Sequence, residues 1–89
     1  MPIIATIYGI KIYMNFALGE HNPPHIHGDY NHKRCAVSLD GEILTDGGMS
    51  KVRVNKVIEF VKENENELKE MWETQQIRRI QKWSINHIH

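Results

Sequence analysis

The hydrophobic pattern of this 89-residue chain changes its period at Asp46-Gly47-Gly48, and that change limits the fold more than any other feature. Before this point, apolar and polar residues alternate in short runs rich in β-branched and aromatic side chains, as in strands. After it, apolar residues follow the i, i+3, i+4, i+7 spacing of amphipathic helices, at Val54, Val57, Ile58, Val61, Leu68, Met71 and Trp72. The sequence therefore predicts an α+β fold, a small antiparallel sheet of about four to five strands covered on one face by one kinked or two C-terminal helices.

Polar residues mark the start of the helical region and a break within it. Ser50 is a suitable N-cap for the first turn, because its hydroxyl can accept a hydrogen bond from a free backbone amide. The apolar stripe is interrupted at Asn64 and Glu65, and Asn64 with Glu67 resembles a capping box. Two helices are therefore favoured over one long helix.

The first hairpin is predicted from residues 3–16, with Tyr8-Gly9 as its turn. A two-residue loop pairs Ile7 with Ile10, Ala5 with Ile12 and Ile3 with Met14, all on one apolar face. The other face then holds Ile4, Thr6, Lys11 and Tyr13. This is the expected pattern for a sheet with one buried side.

A second hairpin is predicted around the turn Asn31-His32. Its register places Ile26, Gly28, Cys35 and Val37 toward the core. It places His25, His27, Asp29, Arg34 and Ser38 together on the opposite face. Residues 42–45 are expected to form one more short strand, whose register the sequence leaves undetermined.

The chain is long enough for one domain, predicted at residues 1–76, followed by a basic tail at 77–89. A single thiol, Cys35, cannot form an internal disulfide and favours a reducing, cytoplasmic setting. No apolar run approaches the roughly 18 residues of a membrane span, so no membrane partner is expected. An exposed edge strand can pair with the same strand of a second copy, so a homo-oligomer is one possible state, and the sequence leaves the oligomeric state undetermined.

Charge is distributed unevenly, although the net charge is zero. Residues 59–73 hold six glutamates and two lysines, so this helical region is acidic and the remainder basic. A solvated helix face is the favoured interpretation of the acidic region. The tail contains Arg78, Arg79, Lys82 and Trp83, a combination that can contact RNA, but three cations are few for that role, and a packed or frayed terminus is favoured.

Three of the six histidines lie within seven residues, in His21-Asn22-Pro23-Pro24-His25-Ile26-His27. The two prolines stiffen this stretch, and a preorganised imidazole loses little freedom on binding. His21, His25 and His27 can supply three nitrogen ligands to a divalent transition metal such as zinc or nickel. Asp29 can be a fourth ligand or can orient one of the rings. Its separation from the other ligands along the strand favours the second role, in which Asp29 orients the His27 ring.

Two other interpretations of the histidines stay open. In one, they make structural hydrogen bonds at a rigid loop edge. In the other, His25 and His27 act as acid and base, with Arg34 at the phosphate, in a small endoribonuclease. The motifs of better-marked enzyme classes, such as the P-loop and His-Glu-x-x-His, are absent from the sequence.

Several stretches together resemble a family of small bacterial proteins, domain-of-unknown-function family number 4160. The stretches are Pro2-Ile3-Ile4, Tyr8-Gly9-Ile10-Lys11-Ile12-Tyr13-Met14, the segment from His21 to His27, Tyr30, and Asp40-Gly41-Glu42-Ile43-Leu44. The resemblance implies short strands followed by helices. It also implies a partner, because members are often encoded beside a second small protein in what looks like a toxin–antitoxin pair.

The chain departs from the family pattern at four positions. Glu20 stands where Asp is usual, Ile26 where an aromatic residue is usual, and Gly28 where a larger residue is usual; Pro is frequent near Ser50. Glu20 keeps an acidic group before the first motif histidine. Gly28 implies either a gap or a close backbone approach beside Cys35.

Overall fold

The computed structural model describes residues 3–14 and 23–80, which form one antiparallel sheet followed by two helices. The strands are β1 (Ile3–Ile7), β2 (Ile10–Tyr13), β3 (His25–Tyr30), β4 (Lys33–Ser38) and β5 (Ile43–Thr45), and the helices are α1 (Lys51–Glu63) and α2 (Glu65–Thr74). The strands lie in sequence order, β1-β2-β3-β4-β5. The α+β prediction, with a sheet followed by two helices, is confirmed.

Both predicted hairpin turns are two-residue turns. Tyr8 and Gly9 have φ values of 49° and 78°, and Asn31 and His32 have values of 51° and 65°. Positive φ at both central residues defines a type I′ turn, whose twist matches that of the flanking strands. The β3–β4 register agrees at every predicted pair, from His25 opposite Ser38 to Asp29 opposite Arg34.

The predicted pairing of Ile3 with Met14 is wrong. Ile3 lies opposite Tyr13, because the register of β1 shifts by one residue between Ile3 and Ala5. Such a bulge reverses the alternation of side chains beyond it. Ile4, predicted on the polar face, is consequently buried in the core.

The core lies between the apolar face of the sheet and α1. Inward-facing residues of the sheet, including Ile26 and Val37, join those of the helices: Val54, Val57, Phe60, Val61, Leu68 and Met71. Cys35 belongs to this core, and burial raises the pKa of its thiol. Neither helix within the described ranges has the length and apolar character that crossing a bilayer requires.

Gly28 marks a close approach between the sheet and α1. A Cβ atom at this position would lie 3.1 Å from the Cys35 Sγ and from the Ile10 Cγ2, and 3.3 Å from the Val57 Cγ2. Of the two predicted alternatives, the structure therefore shows a close approach. A larger residue here requires its neighbours to move.

The helix ends differ in how far they follow the predictions. The Ser50 side chain accepts a hydrogen bond from the Arg53 amide, so the predicted N-cap is confirmed. The chain breaks into two helices at Asn64, but the predicted capping box is wrong. The buried Asn64 side chain donates to the Phe60 carbonyl of α1 at 2.9 Å and makes no cap bond to α2.

The first residues of the predicted tail lie against the domain. The Ile80 amide donates to the Ile4 carbonyl at 2.8 Å, and the Ile80 side chain is buried. Arg78 donates to the Glu70 carboxylate at 2.8 Å. Residues 81–89 lie outside the described residues, and the domain boundary at residue 76 stays a prediction.

Candidate functional site

The face of the sheet opposite α1 holds two rows of mostly polar side chains across β2, β3 and β4. In one row, Tyr13 lies opposite His27, which lies opposite Ala36. In the next, Lys11 lies opposite Asp29, which lies opposite Arg34. Because side chains two residues apart on a strand share a face, these rows are neighbours.

Asp29 is the hydrogen-bonding centre of this surface. Its carboxylate accepts from the Tyr13 hydroxyl at 3.2 Å and from the Arg34 guanidinium at 2.9 and 3.4 Å. The bond from Tyr13 runs diagonally between the rows, a distance that a long aromatic side chain can span. Two nitrogens of Arg34 reach two oxygens of Asp29, which fixes the orientation of the guanidinium as well as its position.

Ring contacts join His27 to the same group. The His27 ring stacks on the Tyr13 ring with centroids 5.2 Å apart and an interplanar angle of 15°. The Arg34 guanidinium carbon lies 5.4 Å from the centroid of the Tyr13 ring, within the range of a cation–π contact. We call Tyr13, His27, Asp29 and Arg34 the polar cluster.

The environment of Tyr13 strongly favours its neutral phenol. Burial, together with the negative charge of Asp29, raises the pKa of Tyr13 to about 12, and Arg34 opposes part of that effect. A phenol that donates to a carboxylate would lose this hydrogen bond on ionisation. The bond between Tyr13 and Asp29 therefore persists throughout the neutral pH range.

A titration of tyrosine absorbance tests this arrangement. We expect Tyr13 to ionise near pH 12 in the folded protein, and Asp29→Asn to lower that pKa because the repelling charge is removed. Since the folded-state pKa exceeds the ordinary tyrosine value of 10.0, Tyr13 stabilises the folded protein by about 2–3 kcal/mol below pH 10, and this contribution is lost as the pH rises toward 12. Tyr13→Phe identifies the signal. An unchanged titration in Asp29→Asn would contradict the proposed coupling.

His25 lies at the start of β3 and is only 5% exposed. Its Nδ1 lies 2.8 Å from the Pro23 carbonyl oxygen. A carbonyl oxygen can only accept, so Nδ1 carries the proton and Nε2 holds the lone pair of the neutral ring. The His25 ring makes an edge contact with the His27 ring, with centroids 5.0 Å apart, and its centroid lies 5.7 Å from that of the Trp72 ring.

The predicted metal ligands are only partly brought together. His25 and His27 are neighbours and Asp29 follows on the same face, but His21 lies outside the described residues. Within residues 3–14 and 23–80, no group of three or more His, Cys, Asp or Glu side chains can hold a metal ion. The described residues therefore do not complete a zinc or nickel site, and the metal hypothesis stays a prediction that depends on His21.

The predicted catalytic residues have unequal access to solvent. Arg34 is exposed, His27 is half-buried and His25 is buried. A general base must come within hydrogen-bonding reach of the proton that it removes, and burial of His25 hinders its approach to the 2′-hydroxyl of a bulky RNA substrate. The endoribonuclease hypothesis stays a prediction, and none of these contacts favours it.

A shallow groove of about 520 Å³ adjoins the polar cluster at the turn end of the two hairpins. Its basic lining residues are Lys11, His32, Lys33 and Arg34, with Asp29 as the acidic one. Because Asp29 is already paired with Arg34, Lys11 and Lys33 give this end of the sheet a positive charge. The acidic surface of the helices lies elsewhere, along residues 59–73.

The contacts of Tyr13 with β3 and β4 were not predicted. The sequence predicts Tyr13 on the polar face of the first hairpin, without a pairing of β2 with β3. The available signal was the alternation of Lys11 and Tyr13, which gives β2 a polar face like that of β3. Trp72, which lies on the predicted apolar stripe of the helices, packs against the core and also contacts His25.

The fold and the site define a small α+β domain with an aromatic and charged cluster on the face of its sheet opposite α1, where Arg34 is exposed and Tyr13 is buried. The chain belongs to the family described as Domain of unknown function (DUF4160), whose model matches residues 9–73. The resemblance identified in the sequence is thereby confirmed. No curated protein and no solved structure matches the chain.

Proposed function

We propose that this protein is a binding protein, one component of a toxin–antitoxin-like pair, and that the polar cluster contacts the product of the neighbouring gene. The observation that carries this proposal is the exposed Arg34 side chain, which the partly exposed Asp29 and the buried Tyr13 hold on the sheet face opposite α1. The gene pairing is an implication of the family resemblance. The geometry supplies the candidate surface.

The polar cluster has the chemistry of a protein-binding hot spot. Tyr and Arg are enriched among the residues that dominate interface energies. Asp29 and the ring of Tyr13 hold the Arg34 side chain in place, while 59% of that side chain is exposed and available to a partner. Because the side chain is ordered before binding, less conformational entropy is lost when a partner carboxylate or carbonyl is bound.

The same surface is less suited to the other functions considered. Among the described residues, metal binding lacks a third ligand, and acid–base catalysis would require the buried His25 to reach a substrate. Binding requires neither condition. Partner recognition is therefore the function that the contacts of the polar cluster support best.

Isothermal titration of the purified protein with the product of the neighbouring gene tests the proposal. We expect Arg34→Ala to weaken binding by at least about tenfold, as for truncation of a hot-spot residue. His27→Ala should weaken binding too, because it removes the ring that stacks on Tyr13. Arg34→Lys keeps the charge but not the two-point contact with Asp29, and should be intermediate.

Arg79→Ala is the matched control, because Arg79 is an exposed arginine near the end of the described chain. It should bind as the wild type does. Thermal melts establish that each variant is folded. Absence of binding by the wild type, or equal binding by folded Arg34→Ala and Arg79→Ala, would overturn the proposal.

A further inference from the structure

One edge of the sheet is open in the part of the chain that the structure describes. β5 pairs with β4 on one side and has no strand neighbour on the other. The opposite edge, β1, receives a hydrogen bond from the Ile80 amide. The outer backbone groups of β5 are therefore available to an added strand.

The side chains of β5 add apolar surface to this edge. Ile43 is 49% exposed and Leu44 is 42% exposed, and alternation places them on opposite faces of the strand. Edge strands are commonly protected by lysine, proline, short length or bulges. β5 contains neither lysine nor proline, but it is only three residues long and its pairing with β4 shifts register between Ala36 and Val37. An added strand would cover apolar surface on both faces while pairing with the backbone.

Acidic residues flank the strand and limit what can pair with it. Glu42 precedes β5, Asp46 follows it, and both are exposed. If a second copy of this chain paired antiparallel with β5 over residues 43–45, Glu42 of each chain would lie opposite Asp46 of the other. Like charges directly opposite each other are destabilising, whereas opposite charges stabilise a strand pair.

We infer that β5 is a strand-addition site for an extended segment of another protein that carries two basic residues four positions apart, with apolar residues between them. Backbone hydrogen bonds would provide the pairing, Ile43 and Leu44 the apolar contact, and Glu42 and Asp46 the charge selection. This edge is distinct from the polar cluster. The inference does not depend on the proposed function.

Amide chemical shifts of the full chain, titrated with two synthetic peptides, test the inference. One peptide has the sequence Lys-Val-Val-Val-Lys and the other Glu-Val-Val-Val-Glu, both capped at their ends. We expect the lysine peptide to shift the amides of residues 43–45 and to bind less tightly as salt is added. The glutamate peptide should leave these amides unchanged.

Paired variants separate charge selection from folding. Glu42→Gln combined with Asp46→Asn should weaken binding of the lysine peptide about fivefold or more, since two ion pairs are lost. Asn at position 46 keeps the oxygen that accepts from the Gly48 amide, so the turn is preserved. Leu44→Lys should abolish binding, whereas Val52→Lys, at an exposed apolar position of α1, should not.

Three results would overturn the inference. These are equal binding of both peptides, shifts that map away from residues 43–45, and a concentration-dependent dimer of the protein alone whose interface maps to β5. The last result would identify a second copy as the occupant.

Discussion

Replacing Gly47 with alanine is expected to lower the free energy of unfolding by more than about 3 kcal/mol, enough to unfold much of a domain this small. Gly47 has a φ of 58°, and a Cβ atom there would overlap the Arg34 carbonyl oxygen. Relief requires moving the backbone of β4 or of the segment that leads into α1. Urea denaturation followed by circular dichroism measures the loss.

Gly48→Ala is the control for this prediction. Gly48 also has a positive φ, 82°, but the nearest atom to its added Cβ would be the Lys33 Cδ at 4.0 Å. Only backbone strain remains, and the expected cost is about 1–2 kcal/mol. Equal stability of the Gly47 and Gly48 variants would show that the close contact with β4 does not exist in solution.

Phe60→Ala is expected to cost about 3–5 kcal/mol, the range for removing a fully buried aromatic side chain. Phe60 lies on the inner face of α1 and is completely buried. The substitution also leaves a cavity next to the helix break, where the Phe60 carbonyl accepts from the Asn64 side chain. Both the transition midpoint and the exchange protection of α1 should fall.

Val52→Ala, on the exposed side of the same helix, provides the comparison for Phe60. Its side chain is exposed to solvent, so the expected change is within about 0.5 kcal/mol. A similar, small loss in both variants would contradict the placement of the core between α1 and the sheet.

The β3–β4 register was predictable because two independent constraints agree. A two-residue turn at Asn31-His32 and the separation of apolar from polar side chains select the same pairing. The β1–β2 hairpin has the same kind of turn, yet the prediction failed at Ile3. A bulge inserts one residue without any signal in the apolar pattern, because Ile3 and Ile4 are both isoleucine.

The candidate site was predictable on β3 and β4 but not on β2. The two-residue turn at Asn31-His32 fixes the β3–β4 register, and this register places His27, Asp29 and Arg34 on one face. The connection between β2 and β3 is longer than a tight turn and carries no register information, so the contacts of Tyr13 depend on tertiary structure. Burial of His25 likewise depends on packing near Trp72 rather than on strand alternation.

The most direct test of the proposed partner surface is an amide hydrogen-exchange map of this protein with and without the product of the neighbouring gene. Binding at the polar cluster predicts added protection around Tyr13 in β2, His27 and Asp29 in β3, and Arg34 in β4. Protection confined to the acidic helical region at residues 59–73, or no change at any position, would contradict the proposal.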